Sequence, residues 1–203
     1  LSAIFVTGLI ASNLLGSKVT EIGGIAMSVA IFAYPLTCLM TDAISEVYGK
    51  KKAMQLVWAA LIAQVLVLLL TIISISLPPA DRYHLNTEYV AVFSGSNRMI
   101  IASIIAFILS QLHYVWAFDF WKDKTKGRML WLRNNASTFV SQAIDTLVFM
   151  FIAFYGINDK FTVAFILQLS VTYWAIKIFI AAVDTPFVYA LVRWLRAGEP
   201  KQS

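Results

Sequence analysis

Charge is scarce in this sequence. Of its 203 residues only 13% are Asp, Glu, Lys or Arg, whereas 60% are hydrophobic and the mean hydropathy is +0.76. Too little polar surface remains to cover a soluble domain of this length, so the chain is an integral membrane protein. Cysteine is almost missing. The single Cys38 lies inside an apolar run, which excludes a disulfide framework and a Cys-based zinc site and makes it a small core residue. The two histidines, His84 and His113, are far apart and no HExxH occurs, so no metal site is expected. No GxxxxGK[ST] cradle is present either, and any ATP-driven step would need other subunits. Ser and Thr in the apolar segments lack a nearby His. Lys177 leaves a Ser/Lys dyad formally open, but neither an enzyme nor a cofactor is expected.

What is present is a series of six apolar segments, each near the roughly 20 residues a helix needs to cross a bilayer core. They cover about 1–20, 24–47, 52–77, 97–118, 133–155 and 163–192. The expected architecture is all-α, a single transmembrane domain over 1–203 with six transmembrane helices. The net charge of +5 does not point to nucleic acid, because the basic residues sit between the spans. Lys50, Lys51 and Lys52, then Lys122, Lys124, Lys126, Arg128 and Arg133, then Arg193, Arg196 and Lys201 fall on one side of a six-span chain. The positive-inside rule makes that side cytoplasmic, with both termini there. Trp116, Trp121, Trp131 and Trp194 near the inner ends fit an aromatic belt. The sequon Asn135-Ala136-Ser137 is on the inner side, where glycosylation is not expected.

The fifth segment organises the rest. At 100° per residue Asn134, Ser137, Thr138, Ser141, Gln142 and Asp145 share one arc, with Leu147, Val148, Met150 and Phe151 filling much of the remainder. Asp145 is therefore a carboxylate near mid-membrane, costly unless paired or wetted. The sixth segment supplies a partner: Tyr173, Lys177 and Asp184 recur on one face, and Lys177 falls at nearly the depth of Asp145. A Lys177–Asp145 pair leaves neither charge stranded, and Asp184 is the rival partner.

The other segments add polar groups. In the first, Gly8, Ser12 and Gly16 have the spacing that lets helices approach, and Asn13 offers an amide that either locks a neighbour or faces a ligand. The second carries Tyr34, Thr37, Thr41, Ser45 and Tyr48 on one face, with Asp42 and Glu46 beside it. Pro35 there is expected to bend the helix and free a carbonyl, and Glu46, close to three lysines, reads as solvated or paired. The third is nearly featureless apart from Gln64 and reads as lipid-facing or scaffold. The fourth carries Arg98 at its outer end, either snorkelling or lining the mouth of a cavity, then Ser103, Ser110, Gln111 and an interfacial His113.

The stretches SNLLGSK at 12–18, YPLTCLMTDAISEVYGKKKA at 34–53, SQAIDT at 141–146 and YWAIK at 173–177 resemble the queuosine precursor transporters, the YhhQ or vitamin-uptake-transporter group of six-helix bacterial inner-membrane proteins. The resemblance implies a fold like the substrate-binding subunits of energy-coupling-factor vitamin transporters, working without their ATPase module. It implies uptake of a 7-deazaguanine base, preQ0, preQ1 or queuine. The site residues expected to contact that base are Asn13, Tyr34, Asp42, Arg98, Gln111, Gln142, Asp145, Tyr173 and Lys177, with Tyr34, Tyr173 or Phe149 stacking on the ring. Two rival readings stay open, a vitamin-binding subunit that docks on a shared ATPase and a non-transporting membrane scaffold. The expected surroundings are the lipid bilayer, and a homodimer that completes the path is a further option.

Overall fold

The computed structural model describes residues 1–124 and 130–198, with the side chains of 130–138 among those outside the description. The polar-arc residues Asn134, Ser137 and Thr138, and the basic residues Lys122, Lys126, Arg128 and Arg133, therefore lie outside the described side chains. Among the described residues six α-helices run α1 (Ser2–Leu15), α2 (Tyr34–Tyr48), α3 (Lys50–Ser76), α4 (Asn86–Lys124), α5 (Leu130–Phe154) and α6 (Val163–Gly198).

Between α1 and α2 the chain departs from the helical expectation. Residues Val19–Ile22 (β1) and Ile25–Ser28 (β2) pair antiparallel, Val19 opposite Ser28 and Ile22 opposite Ile25. The two-residue turn is Gly23-Gly24, with φ of 60° and 78°, the left-handed pair that a tight hairpin needs and that glycine adopts without strain. A short 3-10 turn, Val29–Phe32, follows, so the segment expected to be helical from 24 becomes helical only at Tyr34. The hairpin is tied back to α1. Ser28 Oγ donates to the Gly16 carbonyl at 2.6 Å, and the Val29 amide donates to the Lys18 carbonyl at 3.0 Å.

Pro35 consequently does not bend a helix. It sits in the first turn of α2, where its missing N–H is no loss because no intrahelical partner exists there. The fourth helix also corrects the sequence reading. It begins at Asn86 rather than near 97, which puts Arg98 twelve residues inside it, about 18 Å from its start at 1.5 Å per residue. Arg98 is thus within the apolar helix and not at its end.

Among the described residues three helices are long and apolar enough to cross a membrane, over Lys51–Ser76, Asn86–Tyr114 and Val163–Ile180, with shorter apolar helices at Ser2–Leu15 and Phe139–Phe154. At 15 residues, α2 reaches only about 22 Å, short of a roughly 30 Å hydrocarbon core. The protein is a helical, multi-pass membrane protein.

The chain divides into two compact units. The first comprises Leu1–Ile100 and Ala175–Ser203, the second Ile101–Trp174. In the first, Phe5 of α1, Met40 and Ile44 of α2, and Leu56 and Ala60 of α3 form one apolar cluster, with Leu191 of α6 packed against it. Gly8 brings α1 onto α2 so closely that a Cβ there would lie 3.2 Å from Thr37 Cγ2, which bears out the small-residue packing role. Gly8→Leu is accordingly expected to destabilise the protein by about 1–3 kcal/mol, read as a lower melting temperature in detergent, with Gly8→Ala close to neutral. In the second unit Met150, Ala153 and Phe154 of α5 and Ile166 and Leu169 of α6 are buried, and Phe154 stacks on Phe161 at 5.4 Å.

Candidate functional site

In the first unit a polar constellation forms between α2 and the second half of α6. Tyr34, Cys38 and Asp42 are spaced four residues apart on α2 and so share a face. Lys177 of α6 places its Nζ 5.4 Å from the centre of the Tyr34 ring, a cation held against an aromatic face. The Tyr34 hydroxyl donates to the Cys38 sulfur, and Cys38 lies within electrostatic reach of Asp42, Lys177 and Asp184. The structure thus brings together three residues picked out in the sequence, Tyr34, Asp42 and Lys177, and adds Cys38, which had read as plain core.

Two carboxylates frame this group. Asp184 is buried at 8% exposure and its Oδ2 has no hydrogen-bond partner among the described residues. Asp42 is exposed and close enough to Asp184 for the two charges to repel each other. Leaving a buried polar atom without a partner costs about 1–3 kcal/mol, more for a charged one, so the arrangement is poised to accept a donor or a cation. Pro186 stands two residues further on, inside α6, where it removes one intrahelical hydrogen bond beside the buried acid. The Asp184-Thr185-Pro186 run is the signal in the sequence that could have pointed to this position.

Asp42 also lines a cleft of about 420 Å³ together with Ser45, Glu46, Val188, Tyr189, Val192 and Arg196. At that cleft Arg196 Nη2 donates to Glu46 Oε1 at 3.0 Å, so Glu46 is a paired residue, as its setting suggested. Both side chains are more than half exposed, and such a pair adds little stability. Thr37 and Thr41, expected on the polar face, instead donate to carbonyls of their own helix: Thr37 to Tyr34 at 2.8 Å and Thr41 to Thr37 at 2.9 Å. Their hydroxyls are spent locally.

The α1, α3 and α4 side of the same unit holds further polar groups. Ser96 Oγ donates to the Leu14 carbonyl at 2.7 Å, and Thr71 of α3 hydrogen-bonds Asn97 of α4, the residue before Arg98. Arg98 itself is half-buried. Asn13 is 4% exposed and its Nδ2 has no partner among the described residues. Gln64, passed over as scaffold, is 1% exposed with both amide atoms unpartnered. No hydropathy signal marks it, because one Gln among Leu, Val and Ile barely moves the average.

The second unit contains the remaining sequence candidates. On α5, Ser141 and Thr146 are buried, Asp145 is half-buried and Gln142 is exposed. The Thr146 hydroxyl donates to the Gln142 carbonyl at 2.9 Å. His113 Nδ1 and Ser141 Oγ are 2.9 Å apart, which makes the histidine a link between α4 and α5. Gln111 is half-buried and Tyr173 is buried at 5% exposure. Trp174 meets Phe139 edge-on at 4.4 Å, with its indole Nε1 buried and unpartnered among the described residues. Asp145 belongs to this unit and Lys177 to the other. Among the described residues no group of three or more His, Cys, Asp or Glu is placed to hold a metal ion.

Comparison with known proteins bears on what such a site handles. The chain is 29% identical over 192 residues to the "Probable queuosine precursor transporter" of Bacillus subtilis (strain 168), covering 94% of this chain and 82% of that protein. It is 26% identical over 177 residues to the "Queuosine precursor transporter" of Escherichia coli (strain K12), covering 85% and 75%. No solved structure matches the chain significantly. The sequence profile described as "Putative vitamin uptake transporter" matches residues 28–191, which takes in the whole α2/α6 constellation. The chain belongs to the vitamin uptake transporter family, a family of membrane transporters and not of enzymes.

Proposed function

We propose that this protein carries a 7-deazaguanine precursor of queuosine, such as preQ0, preQ1 or queuine, across the bacterial inner membrane into the cell. The names of its two relatives support that substrate class, and the α2/α6 constellation carries the chemistry. A deazaguanine base presents N–H and NH2 donors along one edge and a carbonyl acceptor beside them. A carboxylate accepts two of those donors while an ammonium or amide donates to the carbonyl. Asp184 or Asp42 supplies the acceptor, Lys177 the donor and Tyr34 a ring to stack on, all within one unit. The single observation behind the reading is a buried Asp184 oxygen with no donor among the described residues, on the same helix as a cation held on an aromatic face.

Asn13 and Arg98 belong to the same unit and are proposed as further contacts. Asp145, Gln142, Gln111 and Tyr173 are proposed as contacts of the same substrate on the sequence argument alone. Six spans with both termini in the cytoplasm follow from the distribution of Lys and Arg, and the helix arrangement is proposed to resemble the substrate-binding subunits of energy-coupling-factor transporters. Lipid surrounds α3, whose Ile62, Leu66, Leu69 and Ile73 are exposed and apolar.

Thermal stabilisation of the purified protein by preQ1, queuine, preQ0 and guanine, set against a panel of vitamins, tests the reading. The expected result is a rise in melting temperature with a deazaguanine, produced by a stabilisation of about 2.7 kcal/mol at a ligand concentration one hundred times Kd. A rise with a vitamin instead assigns another substrate. No response to any compound favours a scaffold, and co-purification of an ATPase favours a docking subunit. The size of the detergent-solubilised particle reports whether a second copy completes the path.

A further inference from the structure

Asp42 and Asp184 bring two carboxylates to the α2/α6 constellation, and Lys177 brings one ammonium. Asp184 is 8% exposed with Oδ2 unpartnered among the described residues, and it is close enough to Asp42 for the two charges to repel. Lys177 stands about two turns before Asp184, roughly 10 Å along the helix axis, with its Nζ over the Tyr34 ring. With both acids ionised, the group holds one more negative charge than positive.

The two acids differ in setting. Asp184 is buried, whereas Asp42 is exposed and lines the cleft of about 420 Å³ with Ser45, Glu46, Tyr189 and Arg196. Val188, another wall of that cleft, lies one turn beyond Asp184 on α6, so the cleft adjoins the buried group. Glu46 is already taken there. Arg196 bonds its carboxylate at 3.0 Å, and those two charges cancel. Asp42 shares the cleft with them and has no ion-pair partner among the described residues.

We infer that Asp42 reads a positive charge on the 7-substituent of the base, so that the protein selects an aminomethyl deazaguanine, preQ1, over the neutral nitrile, preQ0. The inference rests on the 7-deazaguanine reading above and divides the two acids between two parts of one ligand. The ring donors and the 7-substituent lie on different edges of the base, so one acid cannot serve both. Asp184 accepts the ring donors inside the buried group, and Asp42 takes the substituent where the cleft opens. An ammonium there keeps part of its hydration, which a fully buried position would strip at high cost.

An alkylamine is protonated at neutral pH. Its N–H groups donate to a carboxylate with the help of opposite charge, and its arrival relieves the repulsion between the two acids. A nitrile has a lone pair and no hydrogen to donate. Beside Asp42 it sets one acceptor against another and leaves that repulsion in place.

Binding to the purified protein is measured with preQ1, preQ0 and the 7-hydroxymethyl analogue, which matches preQ1 in size but is neutral. The wild-type protein is expected to bind preQ1 at least about tenfold more tightly than either neutral base. In Asp42→Asn the preQ1 affinity falls about tenfold, and its advantage over the neutral bases shrinks to a ratio of about one. In Asp184→Asn all three bases weaken together and the advantage of preQ1 stays. Wild-type protein that binds either neutral base as tightly as preQ1 overturns the inference, whether or not a variant folds. An Asp42→Asn protein that keeps the full advantage also overturns it and leaves Asp42 as a solvated acid. Wild-type protein that binds none of the three overturns the deazaguanine reading itself.

Discussion

Lys177→Met is expected to weaken substrate binding about ten- to hundredfold and to reduce uptake in proportion. The change keeps the unbranched stem and removes the ammonium. Hydrogen bonds to a charged group contribute about 1.5–3 kcal/mol, and each 1.4 kcal/mol is a factor of ten. The structure gives this cation a defined place, 5.4 Å over the Tyr34 ring and within electrostatic reach of Cys38 on the same helix. Lys177→Arg retains the positive charge and the attraction to the ring but presents a planar fork in place of a compact ammonium, so partial recovery is expected. Isothermal titration with preQ1 on the three proteins measures the effect. If Lys177→Met binds as the wild type does, the ammonium has only a packing role and the α2/α6 constellation is not the site.

Asp184→Asn is expected to move stability and function in opposite directions. The wild-type carboxylate is buried, has one oxygen without a partner among the described residues, and is repelled by Asp42. Asn has the same outline without the charge, and although its amide stays unpartnered the repulsion is relieved, so the ligand-free protein gains about 1 kcal/mol. For a chain of 203 residues that raises the melting temperature by a few degrees. Substrate binding meanwhile falls at least about tenfold, because a neutral amide cannot accept two donors from the base as a carboxylate does. Stability given up at a binding position in this way is a recurring feature of functional sites. Melting curves and preQ1 titrations on the same preparation decide the matter. A lower melting temperature with unchanged binding makes Asp184 a structural residue.

Much of the architecture was legible because hydropathy sums along a single helix. The long spans of α3, α4 and α6 are self-contained in that sense: each needs only its own twenty or so apolar residues to be recognised. The Gly23-Gly24 hairpin was hidden by the same property. Val19 to Ser28 is apolar enough to merge with its helical neighbours on an averaged scale, although the paired glycines between β-branched residues are a hairpin signal when read locally. The start of α4 was hidden in the opposite way. The polar run Ser94 to Arg98 looked like a boundary, yet Ser96 and Asn97 are buried there, bonded to the Leu14 carbonyl and to Thr71.

The candidate site divides along a similar line. Tyr34, Asp42 and Lys177 were visible as polar residues with helical spacing inside apolar segments, because a charge in oil stands out whatever surrounds it. Asp184 was seen only as an alternative partner for Lys177. Its lack of a bonded partner among the described residues and its closeness to Asp42 are properties of how α6 lies on α2, whereas Pro186 two residues on could be read from the sequence. Gln64 is the clearest case of what one helix cannot reveal, since the same residue facing lipid or facing another helix gives the same string of letters.

By itself the sequence determined that this is a helical membrane protein, how its basic residues are distributed between spans, and that several ionisable groups must live inside them. Those properties depend on the transfer of individual side chains between water and oil, which each residue carries with it. Only the tertiary structure decided that α1 leads into a hairpin, that Thr37 and Thr41 satisfy their own backbone while Asp184 and Gln64 have atoms without a partner among the described residues, and that Lys177 rests on Tyr34. The reason is that a polar side chain within a span is satisfied or stranded by what the neighbouring helix places opposite it, and that is a property of the pair.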